Sequence, residues 1–153
     1  MTTIVADLYS MGSDRRVSGG SMFTAEKIQR IKGSLYGGCG NFEQVLKMFE
    51  WFKNPDMKPE WKFEPDFEIL QLSPDGLFFW GSEMIAIPIT MPYFAIGSGG
   101  HYALGAMECG ADLAHAIRVA SKYDSSTGHG IYLASLKQSE PAAPKRKRSK
   151  KCL

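Results

Sequence analysis

The sequence predicts an α+β fold in which helices cover sheets, and three observations carry the prediction. Short runs rich in Val, Ile, Thr and aromatic residues alternate with Gly, Pro, Asn and Asp turn signals. Other stretches repeat apolar residues at helical spacing between a capping residue and a stop. The order of these elements (strands, helix, strands, two helices, strand) is not the simple alternation that builds a parallel sheet from βαβ units.

The opening TTIVADLYSMGSDRRVS reads as two short strands about a turn, closed by Ser-Gly-Gly. AEKIQRI and SLYGGCG flank Lys32-Gly33, a two-residue hairpin signal, and the second of these strands runs into glycines. Asn41 is placed to cap a helix whose apolar residues Phe42, Val45, Leu46, Phe49 and Phe52 share one face until Asn54-Pro55 stops it. A proline- and charge-rich connection follows. FEILQL and LFFWG then flank SPDG, with strong turn chemistry at Pro74, Asp75 and Gly76. YFAIGSGGHYALGAMECG reads as a strand turning through glycines into a helix that ends near Gly110. A further helix begins at Asp112, with Leu113, Ala116, Ile117 and Ala120 on one side, and STGHGIYLASL supplies a last strand.

A chain of 153 residues suits one domain with its own core. Cys39, Cys109 and Cys152 form neither an even disulfide framework nor a metal-type pairing, which points to a reducing compartment. The start lacks the features of a secretory signal and no apolar run is long enough to span a membrane, so a cytoplasmic location without membrane attachment is expected. The net charge of +2 hides a division. Residues 1–139, the expected globular body, carry −3, whereas the EPAAPKRKRSKKCL tail at 140–153 carries +5. Such a block of like charge is expected to be disordered, serving as a solvated tail, a nuclear signal or a weak nucleic-acid contact.

Few motifs carry chemistry. The GSGG at 97–100 lies between a strand and a helix but lacks the lysine of a phosphate loop and the spacing of a dinucleotide fingerprint. His101, His115 and His129 have no ligand spacing with Cys or carboxylates, so neither a metal nor a cofactor is expected. What remains is Thr2. A small second residue favours removal of Met1, which would leave a free α-amine a few bonds from the Thr2 hydroxyl. That amine titrates near pH 7.7–8.0 in unperturbed form, so it can act as base for the adjacent nucleophile. A lysine held protonated by a carboxylate would assist, and Asp14 and Lys27, expected on neighbouring strands, are available.

The blocks MTTIVAD, MGSDRRVS, AEKIQRI, LYGGCGN, FAIGSGGHYALGAM and YDSSTGHGI occur in the order found in proteasome β-subunits and the HslV peptidase, and the chain resembles these N-terminal nucleophile (Ntn) hydrolases over roughly residues 2–133. The resemblance implies a four-layer αββα Ntn-hydrolase sandwich, proteasome-subunit-like, and hydrolysis of peptide amide bonds by an N-terminal threonine. It gives Thr2 the place of the nucleophile, Asp14 and Lys27 those of the supporting acid and lysine, and Gly38 that of the oxyanion-hole glycine. Ser98, Asp124 and Thr127 match the group that fixes the terminal amine, Thr127 standing where serine is commoner. It also implies an unfolded polypeptide or peptide substrate, a homo-oligomeric ring and a separate ATPase unfoldase. One departure is the segment between Asn54 and Phe67, a dozen proline-interrupted residues where relatives have a second long helix, so one face is expected to be thinner. The alternative expectation is a non-catalytic scaffold or assembly protein of the same fold, for instance of a virus.

Overall fold

Alternation along the first strand sets the layering. In β1 (Ile4–Asp7), Ile4 and Ala6 face one way and Val5 the other, as the period of two requires. Both faces are buried, so the strand is sandwiched between a second sheet and a layer of helices. The computed structural model describes residues 2–56, 62 and 64–137. The basic tail, the proposed boundary at Ser139 and much of the proline-rich connection lie outside the described residues.

β1 runs antiparallel to β2 (Ser10–Asp14), whose other neighbour is β11 (Ile131–Ser135), and β10 (Tyr93–Ile96) pairs with the free side of β1. The resulting four-stranded sheet has the order β10-β1-β2-β11. A second, five-stranded antiparallel sheet has the order β5-β6-β7-β8-β9, from β5 (Ile28–Ile31), β6 (Ser34–Gly40), β7 (Phe67–Ser73), β8 (Gly76–Trp80) and β9 (Ile87–Ile89). Between β5 and β6, Lys32 and Gly33 both take positive φ, the mirror-image turn that suits a two-residue hairpin. β7 and β8 are joined through Pro74 and Asp75, as the turn chemistry predicts. Ile4, Met11, Leu35, Leu70, Leu72 and Ile96 fill the space between the two sheets.

Helices close both outer faces. Helix α1 (Phe42–Lys53) begins at Asn41, whose side-chain oxygen accepts the N–H groups of Glu43 and Gln44. It lays Val45, Met48, Phe49 and Phe52 on Tyr36, Phe67 and Ile69 of the five-stranded sheet. The predicted apolar face is thus rotated: Met48 is buried, whereas Leu46 is 41% exposed. Val45, Met48, Phe49 and Phe52 form the narrower i, i+3, i+4, i+7 stripe that a single sheet face can cover. On the other side, α2 (Gly100–Glu108) and α3 (Leu113–Tyr123) cover the four-stranded sheet. Asp112 caps α3 by accepting the His115 N–H, and Leu113, Ala116, Ile117 and Ala120 are buried as their spacing predicts. The architecture is the expected αββα sandwich, with α1 alone among the described residues on its face.

Three strands were not anticipated. The run after β2 is not part of that strand: β3 (Arg16–Gly19) and β4 (Ser21–Thr24) form a separate hairpin turning at Gly20. β9 is a three-residue edge strand containing Pro88, a residue that sequence rules place at edges. The rotated α1 face is testable: Phe49→Ala should cost about 3–5 kcal/mol and Leu46→Ala no more than about 0.5 kcal/mol in urea unfolding.

Candidate active site

Antiparallel pairing brings the start of β1, the end of β2 and the end of β10 to one edge of the four-stranded sheet. At the same end of the sandwich lie the start of β5 and the end of β6 from the other sheet, so the residues flanking these termini meet where the two sheets open.

Thr2 precedes β1 and is 5% exposed. Its hydroxyl accepts a hydrogen bond of 2.6 Å from the Lys27 ammonium, which also donates to Asp14 Oδ1 at 2.9 Å. Lys27 and Asp14 are 1% and 0% exposed and form a buried ion pair. They do not sit on neighbouring strands as expected. Asp14 ends β2, while Lys27 precedes β5 in the opposite sheet, and the pair bridges the cleft. The Asp14 carboxylate takes three further donors: the Thr3 N–H at 3.0 Å on Oδ1, and the Gly128 N–H at 3.0 Å and Arg16 N–H at 3.2 Å on Oδ2. Such full satisfaction is what a carboxylate removed from water requires. Burial pulls the Lys27 ammonium below its ordinary pKa, and the charge of Asp14 opposes that pull.

A second network lies beside the first. Asp124 follows α3, and its Oδ2 accepts the hydroxyls of Ser98 and Thr127, each at 2.6 Å, while its Oδ1 accepts the Ser126 N–H. Thr127 spends its one proton on Asp124, so the 2.7 Å contact between Thr127 Oγ1 and Thr3 Oγ1 has Thr3 as the donor. Partial burial pushes the Asp124 carboxyl upward, but the hydrogen bonds from Ser98, Thr127 and Ser126 outweigh it and hold the group below the usual aspartate value. The GSGG glycines serve packing here. A Cβ on Gly97, whose φ is +91°, would stand 1.9 Å from the Thr2 carbonyl oxygen, and one on Gly99 would stand 2.0 Å from Thr3 Oγ1.

Six of the seven predicted site residues are thereby drawn together: Thr2, Asp14 and Lys27 in one network, Ser98, Asp124 and Thr127 in the other. Gly38 is not. Its N–H is taken by the Lys27 carbonyl at 3.1 Å, and a Cβ there would strike Val45 of α1, on the far face of the sheet. Backbone donors on one strand edge recur every second residue, so the Gly40 N–H points to the same edge as that of Gly38, beyond the start of β5. Gly40 lines two cavities beside Thr2. Thr3 and Gly40 were missed from sequence. The signal for Gly40 was its position just before the Asn41 cap; Thr3 gave no local signal.

Cys39 lines both cavities too, and burial, with Glu68 adding to it, pushes its thiol pKa upward, away from thiolate formation. Among the described residues no group of His, Cys, Asp and Glu could hold a metal ion, and no helix is long and apolar enough to cross a membrane.

Comparison with known proteins gives a fold. No protein-family model and no curated protein matches the chain. Among solved structures, it is similar to BPH of Thiobacillus denitrificans in complex with epoxomicin, at 19% identity and a TM-score of 0.66, over 90% of this chain and 99% of that one. Eukaryotic HslV from Trypanosoma brucei matches at 20% identity and a TM-score of 0.66, over 87% and 98% of the two chains. Anbu from Hyphomicrobium sp. strain MC1 matches at 13% identity and a TM-score of 0.68, over 87% and 81%. The fold is that of the HslV and Anbu proteasome-type Ntn subunits.

The Asp124 network makes a pH prediction. Because the folded state holds this carboxyl below its unfolded value, its contribution is present above an ordinary aspartate pKa of about 3.9 and lost as pH falls through the lower folded value. Melting temperature followed downward through that window should fall more steeply for the native chain than for Asp124→Asn.

Proposed function

We propose that the chain is a threonine-type peptidase or amidohydrolase that becomes competent when Met1 is removed. One observation carries the reading: a buried lysine, neutralised by a buried aspartate, donates a 2.6 Å hydrogen bond to the hydroxyl of Thr2. Burying an ammonium is costly, and here the buried charge is paired with Asp14 and directed at the one hydroxyl that Met1 removal would place beside a free amine.

In this mechanism the free α-amine of Thr2 takes the proton of Oγ1 as the oxygen attacks a substrate carbonyl carbon. The Lys27 charge favours the unprotonated amine and stabilises the developing alkoxide. The Gly40 N–H donates to the oxyanion of the tetrahedral intermediate. As the C–N bond breaks, the amine returns its proton to the leaving nitrogen, and an ester links the acyl group to Thr2. Water then attacks the ester with the amine again as base, releasing the acid and restoring the hydroxyl. Ser98, Asp124 and Thr127, reaching Thr3 next in the chain, hold the amine in place. The chemistry requires neither metal nor cofactor.

The substrate class that the resemblance to proteasome-type peptidases supports is an unfolded polypeptide or peptide, with two cavities beside Thr2 to take it. BPH carries epoxomicin in its structure, and the same inhibitor class is a fitting probe here. The chain works as a homo-oligomer, and any unfolding ATPase is a separate protein. Light scattering should therefore give a particle several times the 16.9 kDa chain mass, and a stable monomer at micromolar concentration overturns the assembly.

The test of the chemistry uses Thr2, because Lys27→Ala would strand the buried Asp14 charge at a cost of about 3–5 kcal/mol and confound activity with folding. Met1-free protein should hydrolyse peptide amides. Thr2→Ala should lose at least about a thousandfold in kcat with its melting temperature retained, the scale of losing a nucleophile. Thr2→Ser should keep measurable activity. Retention of Met1 in intact-mass spectra of the native product, together with no hydrolysis by Met1-free protein, would leave the scaffold reading instead, whereas hydrolysis unchanged in Thr2→Ala would remove Thr2 from the mechanism.

A further inference from the structure

Two cavities flank Thr2, and they differ in charge. The smaller, about 170 Å³, is walled by Arg16, Val17, Ser18, Asn41 and Phe42. The larger, about 310 Å³, is walled by Pro65, Asp66, Phe67, Glu68, Gly97 and Ser98. Thr2, Cys39 and Gly40 belong to both, so a carbonyl attacked by Thr2 and held by Gly40 lies between them. No cationic side chain lines the larger cavity among the described residues, because Lys27 is turned inward beneath Thr2.

Strand parity places Glu68 on the cleft side of β7. Along β7, Phe67 and Ile69 face α1, whereas Leu70 and Leu72 face the four-stranded sheet. Glu68 shares the face of Leu70 and Leu72, one rung nearer the mouth of the cleft, and Asp66 lies one rung further out. Leu70 and Leu72 are buried on that face, whereas Glu68 is exposed at the mouth of the cleft and lines the larger cavity beside Thr2. Asp66 already accepts from Asn41 Nδ2 at 3.0 Å, and one Glu68 oxygen meets only the weak Cys39 thiol donor at 3.5 Å. Among the described residues the other Glu68 oxygen accepts no hydrogen bond, which leaves it for an incoming cation.

We propose that Glu68, supported by Asp66, forms a subsite for a cationic side chain, lysine or arginine, on the residue immediately after the scissile bond. This rests on the peptidase reading above. The larger cavity is assigned to the leaving half because it alone contains Ser98, part of the network that orients the amine, and the amine must hand its proton to the leaving nitrogen. A volume near 310 Å³, about ten waters at roughly 30 Å³ each, accommodates an extended lysine or arginine stem.

The experiment uses Met1-free protein and internally quenched peptides with one acyl half, in which the residue after the scissile bond is Lys, Arg, norleucine or Glu. Lys and Arg peptides should exceed the norleucine peptide in kcat/KM by about tenfold, the worth of one charge-assisted hydrogen bond, with Glu poorest. In Glu68→Gln, whose melting temperature is checked in parallel, the Lys-to-norleucine ratio should collapse toward one, and in Glu68→Lys the Glu peptide should overtake the Lys peptide. Equal handling of Lys and norleucine, or a preference that survives Glu68→Gln, overturns the subsite. Fluorescence anisotropy with the same peptides and the Thr2→Ala variant separates the two readings. Lys-selective binding that Glu68→Gln abolishes keeps the subsite even if no peptide is cleaved, in which case only the peptidase reading falls. Binding indifferent to Lys overturns the subsite whatever the rates.

Discussion

Four donors converge on the Asp14 carboxylate, and the arrangement of the molecule depends on that convergence. They come from Thr3 before β1, Arg16 at the start of β3, Lys27 before β5 and Gly128 before β11. A carboxylate with no exposure is tolerated only when its lone pairs are filled, and here filling them pins four chain segments and both sheets to one point. Lys27 then has no route to solvent. Its remaining donors are confined to the cleft, and the Thr2 hydroxyl is the acceptor it finds there.

The electrostatics divide between two carboxylates. Asp14 offsets the desolvation that lowers the Lys27 pKa, so the lysine can stay charged where charge is useful. Asp124 collects hydroxyl protons from Ser98 and Thr127, and through Thr127 it fixes Thr3, the residue next to Thr2. Asp14 thus reaches the Thr2 hydroxyl through Lys27 and the Thr3 N–H directly, whereas Asp124 reaches the side chain of Thr3. Separating the tasks avoids placing both carboxylates against one cation, where removing either would leave an uncompensated group.

Close backbone packing supplies the remaining precision. Gly97 lets the Thr2 carbonyl approach nearer than any side chain would allow, and Gly99 does the same for the Thr3 hydroxyl. The turn from β10 into α2 therefore acts as a mould for the chain start. Its resemblance to a phosphate loop is a consequence of the same requirement, small residues where backbone meets backbone, directed at a different object.

What the sequence determined by itself was local. The Asn41 and Asp112 caps, the Lys32-Gly33 turn, the Pro74-Asp75 hairpin and the buried stripe of α3 each follow from chemistry within a few residues, and each lies where the pattern put it. The resemblance carried by SDRR, KIQRI, GSGG and DSSTG singled out six residues, distant in the chain, that the fold brings together. Only the tertiary structure decided the rest. Whether a glycine N–H on β6 is free depends on where β5 begins, so Gly38 is spent on the Lys27 carbonyl and Gly40 lies past the ladder. Which side of α1 is buried depends on the sheet beneath it, so Met48 replaced Leu46. Asp14 and Lys27 meet across two sheets, and Glu68 faces the cleft because β7 is paired in one register and not its neighbour. Those facts belong to contacts between segments, which no window of local sequence contains.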